Sequence, residues 1–258
     1  LVKAELEAMN LPNKNKPFPF CPKILFILDQ NLAVCPDNYL EELFDYINAR
    51  KIRWIGELTI MDKIHNEKLL RKMAVGSLGC LIGAEDFFNP IPGSPAKNEL
   101  QRNLPEVTRY LQSLGFPAIY SIIFGTDNQD VSIFPKTAEV ISKLGICVYP
   151  HLMAPRAGTP FFAQLVKEGR LRDSKSSHRD MTRHLPHNPK NMKWEECLGE
   201  YIHFKREVYS PQQIAGRFWR NKEQNGLQYA AALAAIEIAQ AIGGIVLGTK
   251  YPKLLPTS

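Results

Sequence analysis

No two cysteines in this sequence lie close together, and that absence excludes more than any single feature it has. Cys21, Cys35, Cys80, Cys147 and Cys197 are scattered, so no CxxC, CxxxCxxC or Cys/His zinc spacing is present. Five widely spaced cysteines also argue against a secreted disulfide framework and suit reduced thiols. The chain is therefore expected to be cytoplasmic. Cys80 and Cys147 sit in apolar runs, where a small buried thiol is the ordinary outcome, and no metal ligand is expected among the five.

Concentrated charge is lacking too. The net charge is +6, but the basic residues are dispersed (Arg50, Lys51, Arg53; Arg170, Arg172; Arg217, Arg220, Lys222) rather than gathered into the stripe that nucleic acid requires. A small-molecule substrate is the expected partner, and no nucleic acid. At the amino end there is no basic start, apolar stretch and small-residue cleavage site, so no signal peptide is read. The chain opens on Leu1, and residues 1–9 look like the tail of a helix, which points to a truncated amino end. Residues 229–248 are apolar enough to raise a membrane question. Glu237 and Gln240 lie near the middle, where a carboxylate costs roughly 3 kcal/mol, and Gly243-Gly244 is expected to break the segment. A packed helix followed by a short strand or loop is expected, with no clear membrane span and with peripheral association through 229–248 left open.

What is present, from residue 23 to 153, is an alternation of apolar β-branched runs with amphipathic stretches. Strands are expected at 23–29, 54–60, 80–84, 118–124 and 146–153, the first buried on both faces. Between them, Leu40, Leu43, Phe44 and Ile47 form one helical stripe, and Leu69, Leu70 and Met73 a second. After a Pro- and Gly-rich loop at 89–96, a helix with Pro105 in its first turn buries Val107, Leu111 and Leu114. Another surrounds Phe134, Ala138 and Ile141. Five βα repeats with short connections imply a parallel sheet with helices outside it. Beyond Pro160, residues 161–168 read as a short helix closed by Gly169. Residues 171–191, with His178, His184 and His187, read as a long loop. Helices are expected at 194–208 and 227–242.

Ligands of parallel α/β folds gather at the carboxyl ends of the strands, and here each strand ends in polar or Gly-rich residues. The candidates are Asp29, then Glu57 with Thr59, then Glu85 and Asp86, then Gly125 with Asp127, then Gly158 with Thr159. Taken singly, Asp29 and Asp127 could merely cap helices, and Gly125 and Gly158 could merely permit turns. Five such strand ends converging on one face make a candidate site.

These residues resemble a known family, the radical S-adenosylmethionine enzymes, in particular the cobalamin-binding type related to anaerobic magnesium-protoporphyrin cyclase. Phe26-Ile-Leu-Asp29-Gln-Asn31 is similar to a family strand ending in Asp-Asp-Asn. Gly79-Cys-Leu-Ile-Gly83-Ala-Glu85 and Ile122-Ile-Phe-Gly125-Thr-Asp127 look like two later strands. Pro155-Arg-Ala-Gly158-Thr159-Pro160 followed by Glu168-Gly169-Arg170 resembles the sequence that closes the core. The resemblance implies an α/β fold, a partial (β/α)6 TIM-like barrel lacking its first βα unit, with a helical C-terminal extension. Residues 1–170 would be the partial core and 171–258 the extension.

By the same resemblance, S-adenosylmethionine would lie across the strand ends, contacted by Asp29, Glu57, Glu85, Gly125, Asp127, Gly158 and Thr159. Glu85 would meet the ribose or amino-acid part, Gly125 would pass the adenine, and residues 158–160 would form the far wall. The parent protein would carry a [4Fe-4S] cluster on three cysteines upstream of Leu1, cobalamin on a further upstream domain, and an electron donor such as flavodoxin or ferredoxin. The sequence departs from the family at Gln30, Asp86 and Ala157. Two other readings stand beside this one: a non-catalytic binding or scaffolding remnant of the same fold, and an unrelated enzyme holding a divalent metal on Asp29, Glu57, Glu85 and Asp127.

Overall fold

A computed structural model describes residue 6 and residues 24–28, 31–172 and 184–250, the last seven of these as backbone. Asp29, Gln30, Cys21, residues 1–5 and His178 lie outside the described residues. The chain is an α/β protein with one five-stranded parallel sheet whose strands run in sequence order. The strands are β1 (Ile24–Phe26), β2 (Arg53–Leu58), β3 (Ser77–Glu85), β4 (Ala118–Phe124) and β5 (Cys147–Leu152). Helix α1 (Asp37–Ala49) connects β1 to β2, and α2 (Glu67–Gly76) connects β2 to β3. Helices α3 (Pro95–Arg102) and α4 (Leu104–Ser113) precede β4, and α5 (Ile133–Leu144) precedes β5.

Alternation along the strands divides the sheet into two faces. Trp54, Leu58, Cys80, Ile82, Tyr120, Ile122, Phe124, Val148 and Leu152 are buried in one core with the apolar stripes of the connecting helices. Trp54 packs against Phe44 with ring centroids 4.8 Å apart, and its Nε1 donates to Met73 O on α2. The opposite, inner face carries Glu57, Leu81, Gly83, Ser121, Tyr149 and His151.

The carboxy-terminal third closes both the free edge of β5 and part of the inner face. After α6 (Pro160–Lys167), helix α7 (Trp194–Val208) lies beside β5. Val148 O accepts from the Tyr209 hydroxyl at 2.8 Å and Pro150 O from the Tyr201 hydroxyl at 2.9 Å. These side chains satisfy carbonyls that no strand pairs, and Pro150 sits where a missing N–H costs nothing. Helix α8 (Pro211–Asn225) leads into α9 (Leu227–Lys250). Tyr229 and Leu233 of α9 are buried against Ile119 and Cys147 on the inner face, with Ile236 alongside. Gly79 leaves room for Ile119 of β4 and for α9, since a Cβ there would collide with Ile119 Cδ1 and lie 3.2 Å from Ile236 Cδ1.

Several expectations from sequence change here. The strand at 23–29 was expected to be buried on both faces, but Phe26 is 60% and Leu28 90% exposed. β1 is the first strand of the sheet and its inner side is open. The 89–96 loop ends in α3, which Pro95 starts at a position where its missing N–H is harmless. Helix α8 had no clear apolar stripe and was not anticipated. The helix expected to stop at Gly243-Gly244 continues to Lys250. A Gly in a helix costs only about 1 kcal/mol relative to Ala, too little to end it. Among the described residues, no helix is long and apolar enough to cross a membrane.

Candidate functional site

Four consecutive strands present polar side chains on the inner face: Glu57 from β2, Glu85 from β3 and His151 from β5 near their carboxyl ends, and Ser121 from the middle of β4. With Thr59, Leu81, Gly83, Lys97 and Tyr149 they line a cleft of about 240 Å³. Register sets the levels, Gly83 pairing with Ser121 and Ser121 with Tyr149. Two of the expected site residues, Glu57 and Glu85, are therefore brought together.

Glu85 owes its position to an irregularity. The β3–β4 register shifts between Gly83 and Glu85, and Glu85 adopts φ +59°, a left-handed conformation that non-glycine residues rarely take. Its Oε1 accepts from Lys97 Nζ of α3 at 2.5 Å. Gly83 leaves space for that pair, since a Cβ there would lie 3.3 Å from both Glu85 Oε1 and Lys97 Cε. Among the described residues no cation is paired with Glu57. Burial by the cleft walls, and then the neighbouring Glu85 carboxylate, push its pKa above the usual carboxylate value.

The other expected residues lie outside the cleft and hold the structure. Gly125 is buried, with its N–H donating to Gln129 Oε1 at 2.9 Å and its C=O accepting from His187 Nε2 at 3.0 Å. A Cβ on Gly125 would stand 2.9 Å from Leu185 Cδ1, and its φ of +86° disfavours any side chain. Asp127 takes both Nη atoms of Arg170 at 2.7 Å, and Arg170 also donates to Asn188 O. Burial pushes the Asp127 carboxyl up, but the Arg170 guanidinium pulls it further down, leaving it below its ordinary value. The Gly125–Asp127 turn is thus an anchor for residues 184–191. Gly158 has φ +85° in a turn with open space around it. Thr159 caps α6, its hydroxyl accepting from Phe162 N and donating to Arg156 O. Asp86 accepts from Phe88 N, Asn89 N and Gln129 Nε2, tying the loop after β3 to the loop after β4.

Sequence reasoning passed over Lys97, Ser121, Tyr149 and His151. The signal was available in β5, where Cys147, Tyr149 and His151 alternate with Val148, Pro150 and Leu152 and so share one face. His151 Nδ1 is shut from solvent and has no hydrogen-bond partner among the described residues. Burial, then the charge of Lys205, lowers the imidazole pKa to about 4, so it is neutral near pH 7.

The described cysteines do not form a ligand set. Cys80, Cys147 and Cys197 are buried, and burial raises each thiol pKa, that of Cys197 to about 12. Among the described residues, no group of three His, Cys, Asp or Glu side chains is placed to hold a metal ion. Glu57, Glu85 and Asp127 in particular are not a carboxylate triad, because Asp127 is spent on Arg170.

Residues 159–241 match the family model of a domain of unknown function (DUF4070). The matched segment runs from the cap of α6 into α9, and it supplies Arg170, His187, Tyr201, Tyr209 and the α9 residues that cover the inner face. No curated protein matches the chain. The carboxy-terminal third is therefore similar to a recurring domain.

Proposed function

We propose that this chain is the S-adenosylmethionine-binding part of a radical S-adenosylmethionine enzyme, built on a partial (β/α)6 barrel. The observation that carries the reading is the pairing of Glu57 and Glu85 over one cleft at the carboxyl ends of β2 and β3. A sequential, all-parallel strand order is what a partial barrel requires, and inner-face ligands at strand ends are its habit. The association of the matched carboxy-terminal domain with cobalamin-binding radical S-adenosylmethionine proteins supports the same reading.

The residues present suit the cofactor. An open carboxylate at Glu57 is matched to a sulfonium or ammonium group, Glu85 to ribose hydroxyls, and Lys97 to the cofactor's own carboxylate. When bound and reduced, the cofactor supplies radical hydrogen abstraction. The chain's part is to bind and orient it on the inner face of the sheet. The described residues do not suit an iron–sulfur cluster, since three exposed thiolates are missing. Cluster, cobalamin and electron donor belong to the parent protein in this proposal.

Thermal unfolding in rising S-adenosylmethionine tests the reading. A ligand at a hundred times its Kd stabilises the folded state by about 2.7 kcal/mol, so the unfolding temperature climbs with concentration. The Glu57→Gln protein should climb far less. A wild-type midpoint indifferent to the cofactor would contradict the proposal.

A further inference from the structure

Between residues 227 and 242, helix α9 carries a single charged residue, Glu237, and turns it inward. Glu237 is bonded to Arg217, and Gln240, also buried, accepts from Lys205 Nζ at 3.0 Å. The outward stripe is apolar: Leu227, Ile238 and Ile242 follow one another at eleven and four residues, three helical turns and then one. Ile238 is 51% and Ile242 58% exposed. A surface helix in water has the reverse arrangement, with its polar side out. The apolar face continues across a groove of about 650 Å³ onto α8, where Ile214, Ala215 and Phe218 form the facing wall. Trp219, 55% exposed, stands beside Phe218 with ring centroids 5.4 Å apart. A contiguous exposed apolar face marks a surface that meets something apolar.

The charges around this face select its partner. The charged residues that line the groove, Lys205 and Arg206, are both cations, and Arg206 is exposed. Lys222, also exposed, lies over the Trp219 ring at 4.4 Å from its centroid. Lysine is depleted in protein–protein interfaces, whereas tryptophan settles at the membrane–water boundary and neighbouring cations are drawn to anionic headgroups. The net charge of +6 adds attraction at longer range. Among the described residues no helix is long and apolar enough to cross a bilayer, and the inward bonds of Glu237 and Gln240 hold α9 to the protein. We propose that the α8–α9 face is a peripheral docking surface for an anionic lipid bilayer. Ile238, Ile242 and Trp219 enter the headgroup boundary, and Arg206 and Lys222 meet lipid phosphates. This surface stands apart from the cofactor cleft and does not depend on the reading of it.

Co-sedimentation of the full chain with vesicles tests it. The chain should pellet with vesicles of phosphatidylcholine and phosphatidylglycerol in equal parts, and far less with phosphatidylcholine alone. The double substitution Ile238→Asp, Ile242→Asp should lower the partition coefficient by about tenfold. Arg206→Gln and Lys222→Gln should each lower it by about fivefold, the effect of one cation near an anionic surface. All four side chains are exposed, so the variants should keep the wild-type unfolding midpoint. Trp219 gives a readout that leaves the isoleucines in place: the emission of the wild-type chain should shift to the blue on adding the anionic vesicles, and the Trp219→Phe chain should lose that shift. A wild-type chain that stays in the supernatant, one that pellets equally with phosphatidylcholine alone, or a folded isoleucine variant that pellets as well as the wild type would overturn the proposal. So would a lipid-free dimer that the same double substitution abolishes, since the face would then belong to a second copy of the chain.

Discussion

Two left-handed residues illustrate how differently one backbone feature can be used. Glu85 holds φ +59° at the cleft, a conformation that costs about 1–2 kcal/mol for a residue with a Cβ. Strain at such a place is what a binding site tolerates. Asparagine accepts this conformation more readily, so Glu85→Asn should leave the urea unfolding midpoint nearly unchanged while weakening S-adenosylmethionine. A large fall in stability would show instead that the Lys97 pair holds the fold. Gly125 is the opposite case, a left-handed glycine that serves packing. A side chain there meets Leu185 as well as an unfavourable φ, so Gly125→Val should cost on the order of 3 kcal/mol in chemical denaturation. Its folded fraction should keep the wild-type affinity for cofactor. The glycine-containing motif was legible in sequence, but its partner Leu185 lies 60 residues away in a segment that reads only as loop. His151 is hidden from a reading of strand ends for a related reason: it sits inside a strand, one residue from the last.

Among the elements, α8 and α9 depend on one another through a buried ion pair. Arg217 Nε donates to Glu237 Oε1 at 2.5 Å, with both side chains under 5% exposed, and Arg217 Nη2 donates to Val208 O at the end of α7. Glu237→Ala leaves the guanidinium buried without its counter-charge and should cost about 3–5 kcal/mol, whereas the double variant Arg217→Met, Glu237→Leu should recover most of the loss. A double-mutant cycle in urea measures this, and additive losses would contradict the clasp. The same pair explains why 229–248 looked half membranous: its charge is neutralised inside the protein by a residue on a helix that sequence did not reveal. Strands and crossover helices were readable because each carries its own period. Helix α8 was not, since only Arg217 and Asn221 are buried on it and neither is apolar. At the other edge of the sheet, Phe26 and Leu28 expose apolar side chains along β1, and exposed strand edges invite association. Phe26→Lys should lower concentration-dependent association in sedimentation or size-exclusion runs, and no change would clear β1 of that role.

For the whole molecule, buried titratable groups set the response to pH. His151 and His187 both have pKa values lowered to about 4, chiefly by burial. Between about 4 and 6.5 the unfolded chain binds protons that the folded one refuses, so each histidine's contribution is full above 6.5 and is lost as pH falls. Burial pushes Glu237 up to about 7, against the pull of Arg217. Its contribution runs the other way, full below its ordinary value of 4.5 and lost as pH rises through 7. Over the shared window one histidine offsets Glu237, and the raised Glu57 opposes part of the other, so the net slope stays below that of one group, under roughly 1.4 kcal/mol per pH unit. Unfolding free energy should therefore fall from pH 6.5 to pH 5, and His151→Gln should flatten that fall. Equal stability of the wild type at both values would contradict the assignment. The cleft, where carboxylates from two neighbouring strands meet on the inner face of the sheet, is the proposed cofactor site. Calorimetric titration of the folded chain with S-adenosylmethionine tests it most directly. The account predicts saturable binding at one site per chain, weakened tenfold or more by Glu57→Gln without a change in unfolding temperature; binding that is absent, or that is equally tight in the Glu57→Gln chain, would contradict it.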